Sequence, residues 1–319
     1  MPIINRIAAF HPEMTAWRHD LHAHPELSMQ EVRTAGVVRD KLAAFGVDEI
    51  ITGMAEHGVV GVIRAGSSDR AIGLRADMDA LPMQEETGLP HASRNPGVMH
   101  ACGHDGHTTM LLGAAKYLAE TRNFDGTVYL IFQPAEEFEG GADRMVKDGL
   151  FDRCPMEKVY GLHNWPQGKA GTFQWRTGPV MAAVGFFDIV ITGKGSHGAL
   201  PHEGIDPIVV SAQIIGALQT IVSRSIEPIE GGVVSIGSIT GGEAYNILPE
   251  RVTMKGTARW YNPKVGEKIE TGLRRLVEGI AASFGARADV NFFRHAPATV
   301  NDADATVLAV EAAKVVAGE

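Results

Sequence analysis

Cysteine is scarce: Cys102 and Cys154 are the only two in 319 residues. One bridge is arithmetically possible, but two thiols make no disulfide framework, and a chain of this size builds its core without one. Basic residues are outnumbered, 29 Lys and Arg against 38 Asp and Glu, for a net charge of -9. That balance excludes the basic face a nucleic-acid partner requires. A small anionic substrate stays open, because it needs only one local arginine. No segment approaches a membrane-spanning apolar run. Met1 to Phe10 has one basic residue and no long apolar core, so it does not read as a signal peptide. There is no internal repeat and no low-complexity stretch. The expectation is a cytoplasmic globular protein with no membrane partner. With 45% hydrophobic residues it can build more than one core, and its length suggests two domains.

Chemistry is concentrated in Met99-His100-Ala101-Cys102-Gly103-His104-Asp105-Gly106-His107. Nine residues hold a thiol and three imidazoles, the ligands zinc-like cations prefer. Packing does not call for four such groups. Cys102 and His104, flanking one glycine, are candidate metal ligands; a buried cysteine beside a surface histidine is the plainer alternative. His100 and His107 read as supporting or structural histidines.

Around this stretch, short apolar strands alternate with helices. Helices are expected over 13–22, stopped by Pro25, and over 30–45, stopped by Gly46. Strands follow at 57–64 and 71–75, with Gly66-Ser67-Ser68-Asp69 as the turn between them. Asp105 is placed to cap a helix carrying Leu111, Ala115 and Leu118. Strands at 127–132 and 158–162 complete a mainly parallel, helix-covered sheet. In such sheets ligands bind beyond the carboxyl ends of strands. Asp77, Glu136, Glu137 and His163 all lie at such ends, and the loop holding Cys102 and His104 opens on the same edge.

The texture changes after Gly178-Pro179. A strand at 185–192, a helix from Asp206-Pro207, strands at 233–240 and 252–260, a helix from Pro263 and a strand at 288–293 follow. The order β-α-β-β-α-β is that of a ferredoxin-like domain. The fold class is therefore α/β, with a domain over 1–184 plus 295–319 and an α+β insert over 185–294.

Glu136-Glu137 after a strand and a proline reads either as an exposed acidic turn or as two carboxylates with separate work. A hydrolytic metal site needs one carboxylate on the metal and another to move the water's proton. Asp77 and Asp79 either orient ligand histidines or cap a turn. In the insert, His197 in a glycine-rich turn, Asn246 after Gly241-Gly242, and Arg259 on the polar side of a strand are substrate-binding candidates or simply exposed.

Several long, ordered motifs then fall into one pattern: Arg18-His19-Asp20-Leu21-His22, His24-Pro25-Glu26-Leu27, Arg75-Ala76-Asp77-Met78-Asp79, HACGHDGH, Gln133-Pro134-Ala135-Glu136-Glu137, Gly161-Leu162-His163-Asn164, Gly195-Ser196-His197 and Gly256-Thr257-Ala258-Arg259. Over essentially its whole length the chain resembles the metal-dependent amidohydrolases that cleave N-acyl amino acids. These include hippurate hydrolases, aminoacylases and auxin-conjugate hydrolases, within the co-catalytic metallopeptidases. The resemblance implies two divalent metal ions (Mn, Zn, Co or Ni), with Cys102, His104, Glu137 and His163 as ligands and the thiolate able to bridge. It implies Glu136 as general base and later general acid, with Asp77 supporting. His197, Asn246 and Arg259 would bind substrate, His197 often in a partner's active site. A homodimer through the 185–294 lid domain is implied. A last histidine ligand would lie in a segment beyond Glu319, for which His295 is a poor stand-in. A dipeptidase or carboxypeptidase with the same machinery, and a non-catalytic metal-binding relative, are the alternatives.

Overall fold

The computed structural model describes residues 5–318; Met1–Ile4 and Glu319 lie outside them. The chain divides into two compact units, 1–174 with 307–319, and 175–306.

The first unit opens with α1 (Asn5–Ala23) and α2 (Val32–Phe45). α1 begins well before the expected Glu13 and runs through Pro12, its early turns anchored by buried Phe10. Strands β1 (Glu49–Met54), β2 (Gly58–Ala65) and β3 (Ala71–Asp77) follow, then α3 (His104–Thr121) and β4 (Gly126–Gln133). The short helices α4 (Gly141–Lys147) and α5 (Leu150–Arg153) lead to β5 (Lys158–Gly161). The strand order is β1-β2-β4-β3-β5. β3 runs parallel to both β4 and β5, whereas β1, β2 and β4 pair antiparallel. The sheet is mixed, and its parallel half carries the chemistry.

β2 and β3 are not the neighbours a simple turn at 66–69 would make them; β4 lies between them. The physical reason is Asp125 at the start of β4. Its Oδ1 accepts the N–H groups of Ser67 (2.7 Å) and Ser68 (2.9 Å), so the loop crosses the end of β4. Both faces of the sheet are covered. On one, Val38, Leu42, Leu111, Leu112 and Ala115 pack against Val128, Leu130 and Phe132. On the other, Met145, Leu150 and Cys154 pack against Tyr129 and Ile131. Cys154 and Cys102 are both free thiols.

The second unit contains β6 (Gly178–Met181), β7 (Ala183–Thr192), β8 (Ser196–His197), α6 (Pro207–Thr220), β9 (Gly232–Thr240), β10 (Ile247–Leu248), β11 (Arg251–Trp260), α7 (Pro263–Ser283), β12 (Arg287–Ala296) and β13 (Thr299–Asn301). Four strands form an antiparallel sheet in the order β12-β7-β11-β9. Its core joins alternate residues of β7 (Phe187, Ile189, Ile191) to Val210, Ile214 and Leu218 of α6 and Ile269, Leu273 and Val277 of α7. Asp206 and Asn262 cap the two helices by accepting main-chain N–H groups. The unit reaches about ten residues beyond the expected 185–294 at each end, because β6 pairs with β13 outside the main sheet. α8 (Ala303–Ala317) crosses the division at Thr306.

One expectation needs correction. The helical run Pro207–Ser225 is long and apolar enough to cross a membrane by length and composition. Its apolarity has a local account: Val210, Ile214, Leu218 and Ile221 belong to the core of the second unit.

Candidate metal centre

The parallel strands β3, β4 and β5 end at one edge, with Asp77 opposite Gln133 and Arg75 opposite Gly161. The N-terminus of α3 opens on the same edge. Gly103 at its cap has φ +89°, and a Cβ there would sit 2.6 Å from the Asn164 side chain. Glycine alone lets the backbone pass between Cys102 and His104 at that separation. Asp105 does not cap the helix; it lies in the first turn and is engaged elsewhere.

His104 is the hub. It is 0% exposed, and its Nδ1 faces Asp79 Oδ1 at 3.1 Å. Nε2 then lies 3.7 Å from Asp77 Oδ2, 3.8 Å from Glu137 Oε1 and 4.0 Å from Glu136 Oε2. Cys102 Sγ is 3.4 Å from His163 Nε2, while His163 Nδ1 donates to the Asn164 carbonyl at 2.7 Å. In both histidines one ring nitrogen is tied to an oxygen and the other turned toward the cluster, as ligand histidines are held. Three sets of side chains bring their ligand atoms within 4.8 Å of one another: Cys102, His104 and His163; His104, Glu136 and Glu137; Asp77, His104 and His107. His104 belongs to all three. His107 donates from Nδ1 to Asp77 (2.6 Å) and accepts the Asn164 main-chain N–H at Nε2 (2.9 Å).

The electrostatics suit a cation. Burial would lower His104, but the hydrogen bond to Asp79, the neighbouring Cys102 sulfur and the charge of Asp77 push it up to about 11. Asp77 is held well below the usual carboxylate range: burial opposes this, but the bond to His107 and the Arg75 guanidinium outweigh it. The hydrogen bond to His104 lowers the Cys102 thiol, yet burial and Glu137 leave it raised overall. Burial raises both Glu136 and Glu137. Their side chains differ in access, 42% exposed for Glu136 and 20% for Glu137.

These residues fit a divalent cation. Among the described residues, buried His104 Nε2 finds no hydrogen-bond partner, an arrangement costly for a polar atom unless something else occupies it. The surrounding donors are thiol, imidazole and carboxylate, the set such ions take.

The second unit places its candidates apart from one another. β8 pairs with β10, and Gly198 N–H donates to the Asn246 carbonyl at 2.7 Å, so His197 and Asn246 are adjacent. Arg259 lies near the far end of β11, eight residues beyond Arg251, roughly 26 Å at strand rise. Its guanidinium stands over the Phe186 ring at 5.9 Å and pairs with no carboxylate among the described residues. His295 is on β12, its ring 5.5 Å from that of Phe186.

A buried network behind the metal cluster escapes a motif reading. Asp105 Oδ2 meets Arg18 Nε at 3.0 Å and His22 Nδ1 at 2.8 Å; His22 Nε2 meets Glu85 Oε1 at 3.3 Å. The Arg18-His19-Asp20-Leu21-His22 motif signals it, but the partners are distant in sequence. Burial depresses His100 nearby to about 4, so its imidazole stays neutral. His22 is raised by its bond to Asp105, against burial and with help from Glu85. A raised folded value means that the stability from charged His22 is complete below the ordinary 6.5 and is lost as pH rises through the raised value. The melting-temperature gap between the parent and His22→Gln should therefore be complete below the ordinary 6.5 and shrink as pH rises above it. A gap no larger at low pH than at high pH would show that His22 carries no charge here.

Residues 73–319 match peptidase family M20/M25/M40. The chain belongs to this family. Among its M20 relatives, hippurate hydrolase of Campylobacter jejuni is 44% identical over 319 residues, spanning 100% of this chain and 83% of that one. An N-acyl-L-amino acid amidohydrolase of Geobacillus stearothermophilus is 43% identical over 282 residues, 88% of this chain and 75% of that one. A Bacillus subtilis structure, described as a dinuclear metal binding peptidase from the M20 family, has a TM-score of 0.80 at 39% identity, covering 97% and 80% of the two chains.

Proposed function

We propose that this M20-family protein hydrolyses the amide bond of N-acyl amino acids, releasing a carboxylic acid and a free amino acid. One observation carries the reading. Glu137 turns inward at the buried His104 cluster, and Glu136, the next residue, reaches the same cluster with a half-exposed carboxylate. The activities named for the C. jejuni and G. stearothermophilus relatives support the substrate class.

In this reading Cys102, His104, Glu137 and His163 would hold two divalent ions, with Asp77 and His107 adjacent. Such ions acidify water and polarise an amide carbonyl. Glu136 takes the proton from the attacking water and later delivers it to the departing nitrogen, so no proton is lost overall. Burial raises its carboxyl, which favours holding a proton taken from water. Asp79 keeps His104 in the tautomer that presents Nε2. Arg259, unpaired with any described carboxylate, takes the substrate's α-carboxylate by a two-pronged contact. His197 and Asn246 belong to the β8–β10 pair, which joins β11 near Arg251, whereas Arg259 stands near the other end of that strand. That separation supports their acting in a partner's site, with the second unit serving as ferredoxin-like lid and homodimer contact. The free thiols are in keeping with a cytoplasmic location.

A substrate panel tests this. With Mn, Zn, Co and Ni supplied in turn, N-benzoyl and N-acetyl amino acids should be hydrolysed, and dipeptides with a free α-amino group should be poor substrates. Preference for the dipeptides would make the protein a peptidase. No hydrolysis of any amide despite bound metal would make it a non-catalytic relative.

A further inference from the structure

The main-chain N–H groups of the residues before and after Glu136 are both held by buried carboxylates. The N–H of Ala135 donates to Glu31 Oε1 at 2.7 Å, and the N–H of Glu137 donates to Asp79 Oδ2 at 3.0 Å. Glu31 is 0% exposed and Asp79 1%. Asp79 has other work, since it bonds His104 and accepts from Ser28 Oγ at 2.7 Å. Glu31 has none of this kind. It forms no ion pair among the described residues. Of the main-chain N–H groups around its carboxyl, those of Met29 and Glu31 belong to its own segment; only that of Ala135 comes from elsewhere. An apolar side chain would fill this space without the desolvation cost of a carboxyl group, so the residue type asks for a reason.

The reason lies in what Glu31 holds. Ala135 has φ +52°, the left-handed region that non-glycine residues avoid. Its carbonyl accepts the Gly141 N–H at 2.9 Å, and a Cβ on Gly141 would sit 1.8 Å from the Pro134 carbonyl oxygen. The loop therefore closes tightly around Glu136. Relaxation of Ala135 to an ordinary conformation would rotate the peptide leading into Glu136 and move its carboxylate from its station 4.0 Å from His104 Nε2. Strain of this sort persists where the surroundings over-determine it, and a functional site is where it recurs.

We propose that Glu31 is a positioning residue: its carboxylate holds Ala135 in the left-handed conformation that aims Glu136 at the metal-binding cluster. The inference rests on Glu136 being the base. Variants at Glu31, with a second change at Ala135, and a measurement on the parent test it. Glu31→Gln keeps an accepting oxygen and the shape; Glu31→Leu fills the space without one. Glu31→Leu should lower kcat by about 10- to 100-fold, the usual effect of removing an outer support. KM should stay within about 2-fold, because binding is not what is lost. Glu31→Gln should stay within about 3-fold of the parent. Ala135→Gly, which removes the penalty on positive φ, should restore part of the lost kcat in the Glu31→Leu background. Calorimetric titration with Mn²⁺ should show the parent's stoichiometry in both variants, since Asp79 still holds the Glu137 amide.

Parent turnover in Glu31→Leu with only a lowered melting temperature would overturn the proposal, as would equal losses in the Leu and Gln variants or loss of bound ions. Should Glu31→Leu fail to fold, hydrogen exchange of the parent decides. The Ala135 amide must be strongly protected, and exchange at the rate of an open loop ends the idea. Glu136→Gln separates the two claims. If it retains turnover, the base assignment fails; if it is inactive while Glu31→Leu turns over normally, only the positioning role fails.

Discussion

Glu136→Gln should lower kcat by about 10²- to 10⁴-fold, the range for removing a general acid–base group, while two ions per chain and the melting temperature are retained. The substitution keeps size and shape, so the loop from Pro134 to Gly141 has no reason to move. The main-chain bonds that hold the loop come from Ala135, Glu137 and Gly141, not from the Glu136 side chain. Gln cannot accept and return a proton. Both the attack of water and the departure of the amine then lose their proton carrier. Glu136 is also the more solvent-open of the two carboxylates, so its neutral replacement leaves the buried side of the cluster as it was. Benzoate release from N-benzoylglycine, with metal content by atomic emission, measures both halves. Parent turnover in the variant would mean another group carries the proton. Lost metal would mean that Glu136 is a ligand.

Replacing the hub should do more damage than replacing any other donor. His104→Ala removes the one residue common to all three possible ligand sets. Bound metal should fall below one ion per chain, and turnover should drop by at least on the order of 10³-fold, as the several kcal/mol that ions contribute to the transition state disappear. Cys102→Ala touches a single set and should keep more metal. The metal-free protein should suffer as well. His104 is buried and protonated up to about 11, so in the absence of an ion it offsets the charge of Asp77 and Asp79. Breaking a buried pair of this sort costs about 3–5 kcal/mol, and the chelated variant should melt well below the chelated parent. A variant that binds two ions as tightly as the parent would remove His104 from the centre of the site.

Much of the site was written in short motifs. Thiol and imidazole within nine residues, and two carboxylates after a strand and a proline, announce donors wherever they occur. The second unit was legible for a similar reason. Alternation along β7 and β11 and the apolar stripes on α6 and α7 repeat with the strand and helix periods. The short elements β1, β6, β8, β10 and β13 were not, because two to six residues hold too little periodicity to separate strand from loop. The residue order also misled at Gly66-Ser67-Ser68-Asp69, where a turn composition hid a crossover around β4.

What the letters alone settled is the kind of chemistry present and the order of the elements that carry it, since both depend on residue type and on spacing of a few positions. Folding settled who meets whom. The bond from Ala135 to Glu31 spans 104 residues, and that from His22 to Asp105 spans 83. His104 became the hub, Glu31 became a prop beneath Glu136, and Arg259 was set at the opposite end of a strand from His197. Each outcome follows from sheet order and from the need of buried polar groups for partners, neither of which a local pattern contains.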